Sequence, residues 1–136
     1  MIIIGLGRFG RGVAKTLHEL GYEVTAVDLD ERQVEAAADY VSLAVQGDGA
    51  DEELLRSLQA DRASVGIVAQ GRSLEANMLA ALILKKVGVR WVVAKATSDL
   101  HGELLRRIGV NRVMYPERAS AIRLAHAVAV PSINDY

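Results

Sequence analysis

The sequence predicts a doubly wound α/β domain, a six-stranded parallel sheet with helices on both faces. Three observations carry that expectation. Short β-branched runs alternate with helical segments along the whole chain. The opening "IIIGLGRFGRG", residues 2–12, runs from a buried strand directly into Gly5, Gly7 and Gly10. An acid, Asp28, closes the second strand, 21 residues after Gly7. The chain of 136 residues suits one domain with its own core, and no internal linker or second domain is legible.

The elements follow in order. Ile2 to Ile4 form the first strand, and a helix runs from about Arg8 to Leu20 with Val13, Ala14, Leu17 and Leu20 on its apolar stripe. Gly21 stops it. "YEVTAVD", 22–28, is the second strand. Asp30 caps the next helix, and Gln33, three residues on, completes the pattern of a capping box. "YVSLAVQ", 40–46, is the third strand, and Asp48 or Asp51 caps the helix after it. "SVGIVAQ", 64–70, is the fourth. Ser73 caps a helix running through Lys86, whose core face includes Met78, Leu82 and Ile83. "VRWVVAKA", 89–96, is the fifth strand, and Asp99 caps a helix ending at Gly109. "NRVMY" is a short sixth strand, and Pro116 opens the last helix at a position proline tolerates. That helix carries Ala119, Ile122, Leu124, Ala125 and Val128, apolar on more than one side. It packs on the sheet, or it buries against a partner or a missing piece. "VPSINDY" reads as the start of something longer. The expected division is a lobe over 1–115, then a helix and the start of a further lobe over 116–136.

Composition narrows the function. With 16 basic and 17 acidic residues the net charge is −1, so no bias toward nucleic acid or anionic membranes follows. Aromatic residues are too sparse for a base-stacking surface. The absence of cysteine excludes disulfides, thiol nucleophiles and thiolate metal sites. No apolar run approaches the roughly 20 residues of a membrane span, and no leader pattern opens the chain; an intracellular location is expected.

The glycine spacing has a physical reading. Gly5 allows a tight turn, Gly7 lets the backbone approach a pyrophosphate, and Gly10 lets helix and strand pack closely. The helix N-terminus then offers free N–H groups and partial positive charge to phosphate. Asp28 would accept hydrogen bonds from ribose hydroxyls and repel a 2′-phosphate. Leu6 and Phe9 within the loop, and Leu29 after the acid, join the candidate cofactor-binding positions. Arg8 opposes the helix dipole, so it is either solvated or faces a multiply charged phosphate. Asp48 and Gly49 follow the third strand, and Gln70 and Gly71 the fourth, at the carboxyl ends where such sheets bind ligands. Lys95 ends an apolar strand and needs water or an anion. Glu117 sits where the helix dipole favours an acid. His18, His101 and His126 read as ordinary surface or boundary residues. No nucleophile, paired catalytic carboxylates or metal motif is apparent.

The segments "IIIGLGRFGRGVAKTLHELGYEVTAVDLDE", "AVQGDGADEELLRSL", "LEANMLAALILKKVGV", "VVAKA" and "LLRRIGVNRVMYPE" resemble the N-lobe of an RCK domain, also called KTN or TrkA-N, across essentially the whole chain. The resemblance implies a cytosolic regulatory domain of Trk- or Ktr-type potassium transporters and channels, beneath a membrane-embedded pore partner. It implies binding of an adenine nucleotide, ATP, ADP or NAD(H), and a homodimer assembling into an octameric ring. By position, Gly5, Gly7 and Gly10 match the phosphate loop, Asp28 the ribose carboxylate, Asp48 and Gly49 the adenine-side turn, and Gln70 and Gly71 the fourth-strand loop. Arg8 matches an arginine that reaches a terminal phosphate, and Lys95 a basic residue near the phosphates. Glu117 matches an acid contributing to a cation site at the dimer interface in Ktr-type relatives. Residues 117–130 match the crossover helix. The rival reading is the NAD-binding domain of an oxidoreductase without its substrate domain.

Overall fold

The computed structural model describes residues 1–134, with side chains described through Ala129. Six strands, β1 (Ile2–Ile4), β2 (Thr25–Asp28), β3 (Leu43–Gln46), β4 (Val65–Val68), β5 (Trp91–Lys95) and β6 (Arg112–Met114), form one parallel sheet in the order β3-β2-β1-β4-β5-β6. Among the described residues six α-helices connect and follow them, α1 (Arg8–Glu19), α2 (Glu31–Ala37), α3 (Glu52–Ser57), α4 (Leu74–Val87), α5 (Asp99–Ile108) and α6 (Pro116–Asn134), with a 3₁₀ turn over Ala60–Arg62 before β4. The chain winds outward from β1 to β3, then returns across the sheet to β4. That reversal opens a crevice at the carboxyl ends of β1 and β4.

Strand periodicity explains why both faces are covered. Alternate residues of a strand point to opposite faces. Ile3 sits beside Ala26 and Ile67 and shares a core with Ala14 of α1 and Ala37 of α2. Ile2 and Ile4 point the other way, into a core with Leu55 of α3, Ala80, Ala81 and Leu84 of α4, and Leu105 of α5. A central strand needing apolar residues on both faces reads as an unbroken run, as β1 does.

The structure departs from the sequence reading in identifiable places. β2 and β3 begin three residues later than expected, at Thr25 and Leu43. Asp51 caps α3, accepting from Leu54 N–H, while Asp48 closes a local turn onto Ala50 N–H. Asp30 caps α2 through Arg32 N–H, but no capping box forms: the Asp30 N–H donates to Asp28 Oδ1, and the Gln33 side-chain Oε1 accepts from Arg11. Ser98, not Asp99, caps α5: Ser98 has extended backbone and its hydroxyl accepts from His101 N–H, which puts Asp99 inside the helix. Leu20 lies beyond the edge of its stripe and is exposed, and so is Leu82. α4 buries its alanine-rich side, where small residues allow close approach to the sheet, with Met78 and Ile83 at the margin. His101 is buried, contrary to its reading as a surface or boundary residue, whereas His18 and His126 are exposed. The last helix does not pack on the sheet. Every residue from Glu117 to Ala129 is exposed, with Ile122, Leu124 and Val128 open to solvent. Its base is tied down by an Arg118–Asp99 ion pair of 2.9 Å and by Arg118 stacked over Tyr115. Residues 135 and 136, part of the expected start of a further lobe, lie outside the described residues.

Candidate functional site

The site begins with the three glycines. Gly5 has φ +99°, a left-handed conformation, and a Cβ there would lie 2.5 Å from the Gln70 backbone nitrogen. A Cβ on Gly10 would run into the Gly5 carbonyl oxygen. Side chains are thus excluded at both positions, by strain and by contact. Gly7 differs: a Cβ there would meet nothing within 4 Å. Space has been left over the loop, and it opens on the crevice.

Helix N-termini sharpen the point. α2, α3, α4 and α5 begin with Asp30, Asp51, Ser73 and Ser98, each accepting a hydrogen bond from the first turn. α1 begins with Gly7, has no side-chain cap and no acid in its first turn. Its first N–H groups remain free, and its partial positive charge is unopposed. An uncapped N-terminus over open space is a place for an anion.

Asp28 is held ready beside it. Its two carboxylate oxygens accept from Leu6 N–H at 2.7 Å and from Asp30 N–H at 2.8 Å. These bonds fix the orientation, and each oxygen keeps a lone pair for a further donor. A cleft of about 790 Å³ adjoins Gly5, Gly7 and Asp28 and continues to Lys95 and Glu117. That is room for a mononucleotide or a dinucleotide. A smaller pocket of about 150 Å³ lies beyond Asp28, bordered by Leu29, Asp48 and Gly49.

The structure therefore brings together most of the residues singled out from sequence. Gly5, Gly7, Arg8, Phe9, Asp28, Gln70, Gly71, Lys95 and Glu117 line the larger cleft, and Leu29, Asp48 and Gly49 the smaller. Leu6 and Gly10 line neither: Leu6 is fully buried and contributes its N–H to Asp28, and Gly10 packs against Gly5. Lys95 is half-buried, with its ammonium against Gly71. Among the described residues no ion pair takes in Arg8, Lys95 or Arg72. Three cations thus face two acids, Asp28 and Glu117, across the cleft. Arg72 was missed from sequence although it borders both pockets. Its position directly after Gly71, at the carboxyl end of β4, was the available signal. Gln33 and Ser120 also line the cleft. Among the described residues no three His, Asp or Glu side chains gather as a metal site.

Sheet order, glycine turn and crevice define the class, a Rossmann-type domain with its binding crevice at the strand-order switch. The sequence matches the TrkA-N domain family over residues 1–116, and the chain belongs to that family. It is 42% identical over 134 residues to Ktr system potassium uptake protein C of Bacillus subtilis (strain 168), covering 98% of this chain and 61% of that protein. The chain therefore spans less than two thirds of that relative's length. The fold is shared with the Kef CTD of Shewanella denitrificans in its AMP-bound form, with TM-score 0.78, 24% identity and coverage of 95% of this chain and 78% of that one. It is also shared with the GsuK channel bound to NAD, with TM-score 0.72, 23% identity and coverage of 83% of this chain and 20% of that one.

Proposed function

We propose that this chain is an adenine-nucleotide-binding regulatory domain of a potassium transport system, a sensor and not a catalyst. The observation that carries this is the uncapped start of α1 over open space, with the oriented Asp28 carboxylate beside it. Main-chain N–H groups would hold the phosphates, Asp28 the ribose hydroxyls, and the smaller pocket at Asp48 and Gly49 the adenine side. Arg8, Lys95 and Arg72 would answer phosphate charge. Support comes from the potassium-uptake name of the relative in Bacillus subtilis and from the AMP and NAD bound by proteins of the same fold.

In this reading the domain works in the cytoplasm, against the inner face of the membrane through a pore-forming partner. No described helix is long and apolar enough to cross a membrane. The exposed α6 would be the crossover helix that joins two copies, and dimers would build a ring. A cation at that interface would need Glu117 from both copies, since the described residues of one copy gather no ligand set. Exchanging one nucleotide for another would change the charge facing Arg8 and shift the population between ring shapes.

Thermal unfolding in the presence of AMP, ADP, ATP, NAD and NADH tests the site. A ligand at 100 times its Kd stabilises the native state by about 2.7 kcal/mol. We expect a clear gain in Tm with at least one of these ligands, and loss of that gain in Asp28→Ala. The gain, not the Tm itself, is the readout, because the substitution also leaves Leu6 and Asp30 N–H without their acceptor. An equal gain in both proteins, or none in the wild type, overturns the assignment.

A further inference from the structure

Asn77 and His101 are buried polar side chains in an otherwise apolar interior, 1% and 2% exposed. Neither touches the cleft. Asn77, in α4, donates from Nδ2 to the carbonyl of Gln70 at 2.8 Å and to that of Lys95 at 3.1 Å. Its Oδ1 lies 2.8 Å from His101 Nε2, in α5. His101 Nδ1 accepts from Thr97 N–H at 3.2 Å. The chemistry of this set is closed. A backbone N–H can only donate, so Nδ1 carries no proton and Nε2–H donates to Asn77. Two carbonyls can only accept, which fixes the orientation of the Asn77 amide. Burial lowers the His101 pKa, in keeping with the neutral ring this requires.

The two carbonyls mark the ends of adjacent strands. The β4–β5 pairing ends at Val68 and Ala94. Just past it, one side-chain amide spans the gap and holds Gln70 to Lys95. These residues, with Gly71 between them, form the cleft wall beside the glycine loop, where the Lys95 ammonium rests against Gly71.

We infer that Asn77 and His101 are positioning residues of the cleft: Asn77 sets the spacing between the β4 and β5 ends, and His101 satisfies the buried Asn77 oxygen and so keeps the amide in place. The inference rests on the nucleotide-binding reading only for its effect on affinity. Without His101 the Asn77 Oδ1 is buried with no donor, and the cost of that unsatisfied acceptor loosens the amide's hold on the two carbonyls.

His101→Leu, His101→Gln and Asn77→Asp test this, with Leu84→Ala as a control that weakens the same helix in the core. Two measurements are made well below the Tm of each: the Kd for AMP and for NAD by calorimetry, and amide hydrogen exchange over residues 70–72 and 95–97 without ligand. Glutamine places a donor near Nε2, so His101→Gln should stay within about twofold of wild type in Kd, whereas His101→Leu and Asn77→Asp should bind about tenfold more weakly. Exchange over both loops should accelerate in these two variants and not in Leu84→Ala, which should lose Tm and keep its Kd. If His101→Leu does not fold, Asn77→Ser takes its place with the same expectations. Unchanged Kd together with loop exchange no faster than in Leu84→Ala overturns the inference. If the wild type binds neither AMP nor NAD, the nucleotide reading fails and loop exchange alone decides the positioning role.

Discussion

At the end of β1, Gly5, Gly7 and Gly10 shape the cleft by leaving side chains out; at the neighbouring ends of β4 and β5, Gln70 and Lys95 are placed by side chains put in, those of Asn77 and His101. The first wall is made by the backbone of one short segment. Its geometry follows from the sterics of each position and from a helix start without a cap. The second wall depends on a hydrogen-bonded bridge between two helices, with partners 24 residues apart in sequence. A wall made of backbone is rigid and tolerates few substitutions. A wall held by a buried polar bridge keeps its shape only while every member is satisfied.

The largest effect expected from breaking this contrast falls on the glycine wall. In Gly10→Ala the added methyl collides with the Gly5 carbonyl, which is backbone and cannot rotate away. α1 would have to lift off β1, opening the core around Ile3 and Ala14. A loss of about 3 kcal/mol or more is expected, read as a drop in denaturant midpoint or as failure to fold. A Gly10→Ala protein of wild-type midpoint would mean that helix and strand are not in close contact there.

Legibility in the sequence divides along the same line. The first strand, the glycine turn and Asp28 were readable because each is dictated by neighbours a few residues away. The bridge was not. His101 carries no local signal of burial, and its value lies in an acceptor on another helix. Asn77 sits in a helix so apolar, with Leu74, Leu79, Leu82, Ile83 and Leu84, that periodicity does not choose a face; the small residues Ala80 and Ala81 do. The cap of α5 was misplaced by one residue because Ser98 and Asp99 are both good caps, and only the extended backbone at Ser98 decides between them. α6, apolar on several sides, left packing on the sheet and burial elsewhere both open, and its exposed residues decide against the sheet.

A middle-sized effect reads the bridge through pH. The folded state resists protonation of His101, whose pKa burial lowers from its ordinary 6.5. Between those two values the unfolded chain binds the proton more readily, so stability falls as pH drops below about 6.5 and is flat, for this group, above it. His101→Gln has nothing to protonate. Its stability, measured by urea unfolding from pH 7.5 down to 5, should therefore decline less steeply than that of the wild type. Parallel curves would mean that the ring accepts a proton in place and that the Thr97 N–H contact is dispensable.

The smallest effect on stability separates the two walls most cleanly. Gly7 lines the cleft with φ −67° and ψ −169°, a conformation open to any residue, and a Cβ there touches nothing. In Gly7→Ala the unfolded chain loses some freedom and the native packing is unaltered, so the Tm should hold or rise, within about 1 kcal/mol. Yet the new methyl occupies the space over the uncapped N–H groups of α1, where phosphate would lie. Affinity for AMP should fall about tenfold or more while the apo protein is as stable as before, because a phosphate held away from those N–H groups loses charge-assisted hydrogen bonds worth about 1.5–3 kcal/mol each. A variant that kept both its Tm and its Kd would place the ligand elsewhere along the cleft, nearer Lys95, and would shift the weight of recognition from the backbone wall to the bridged one.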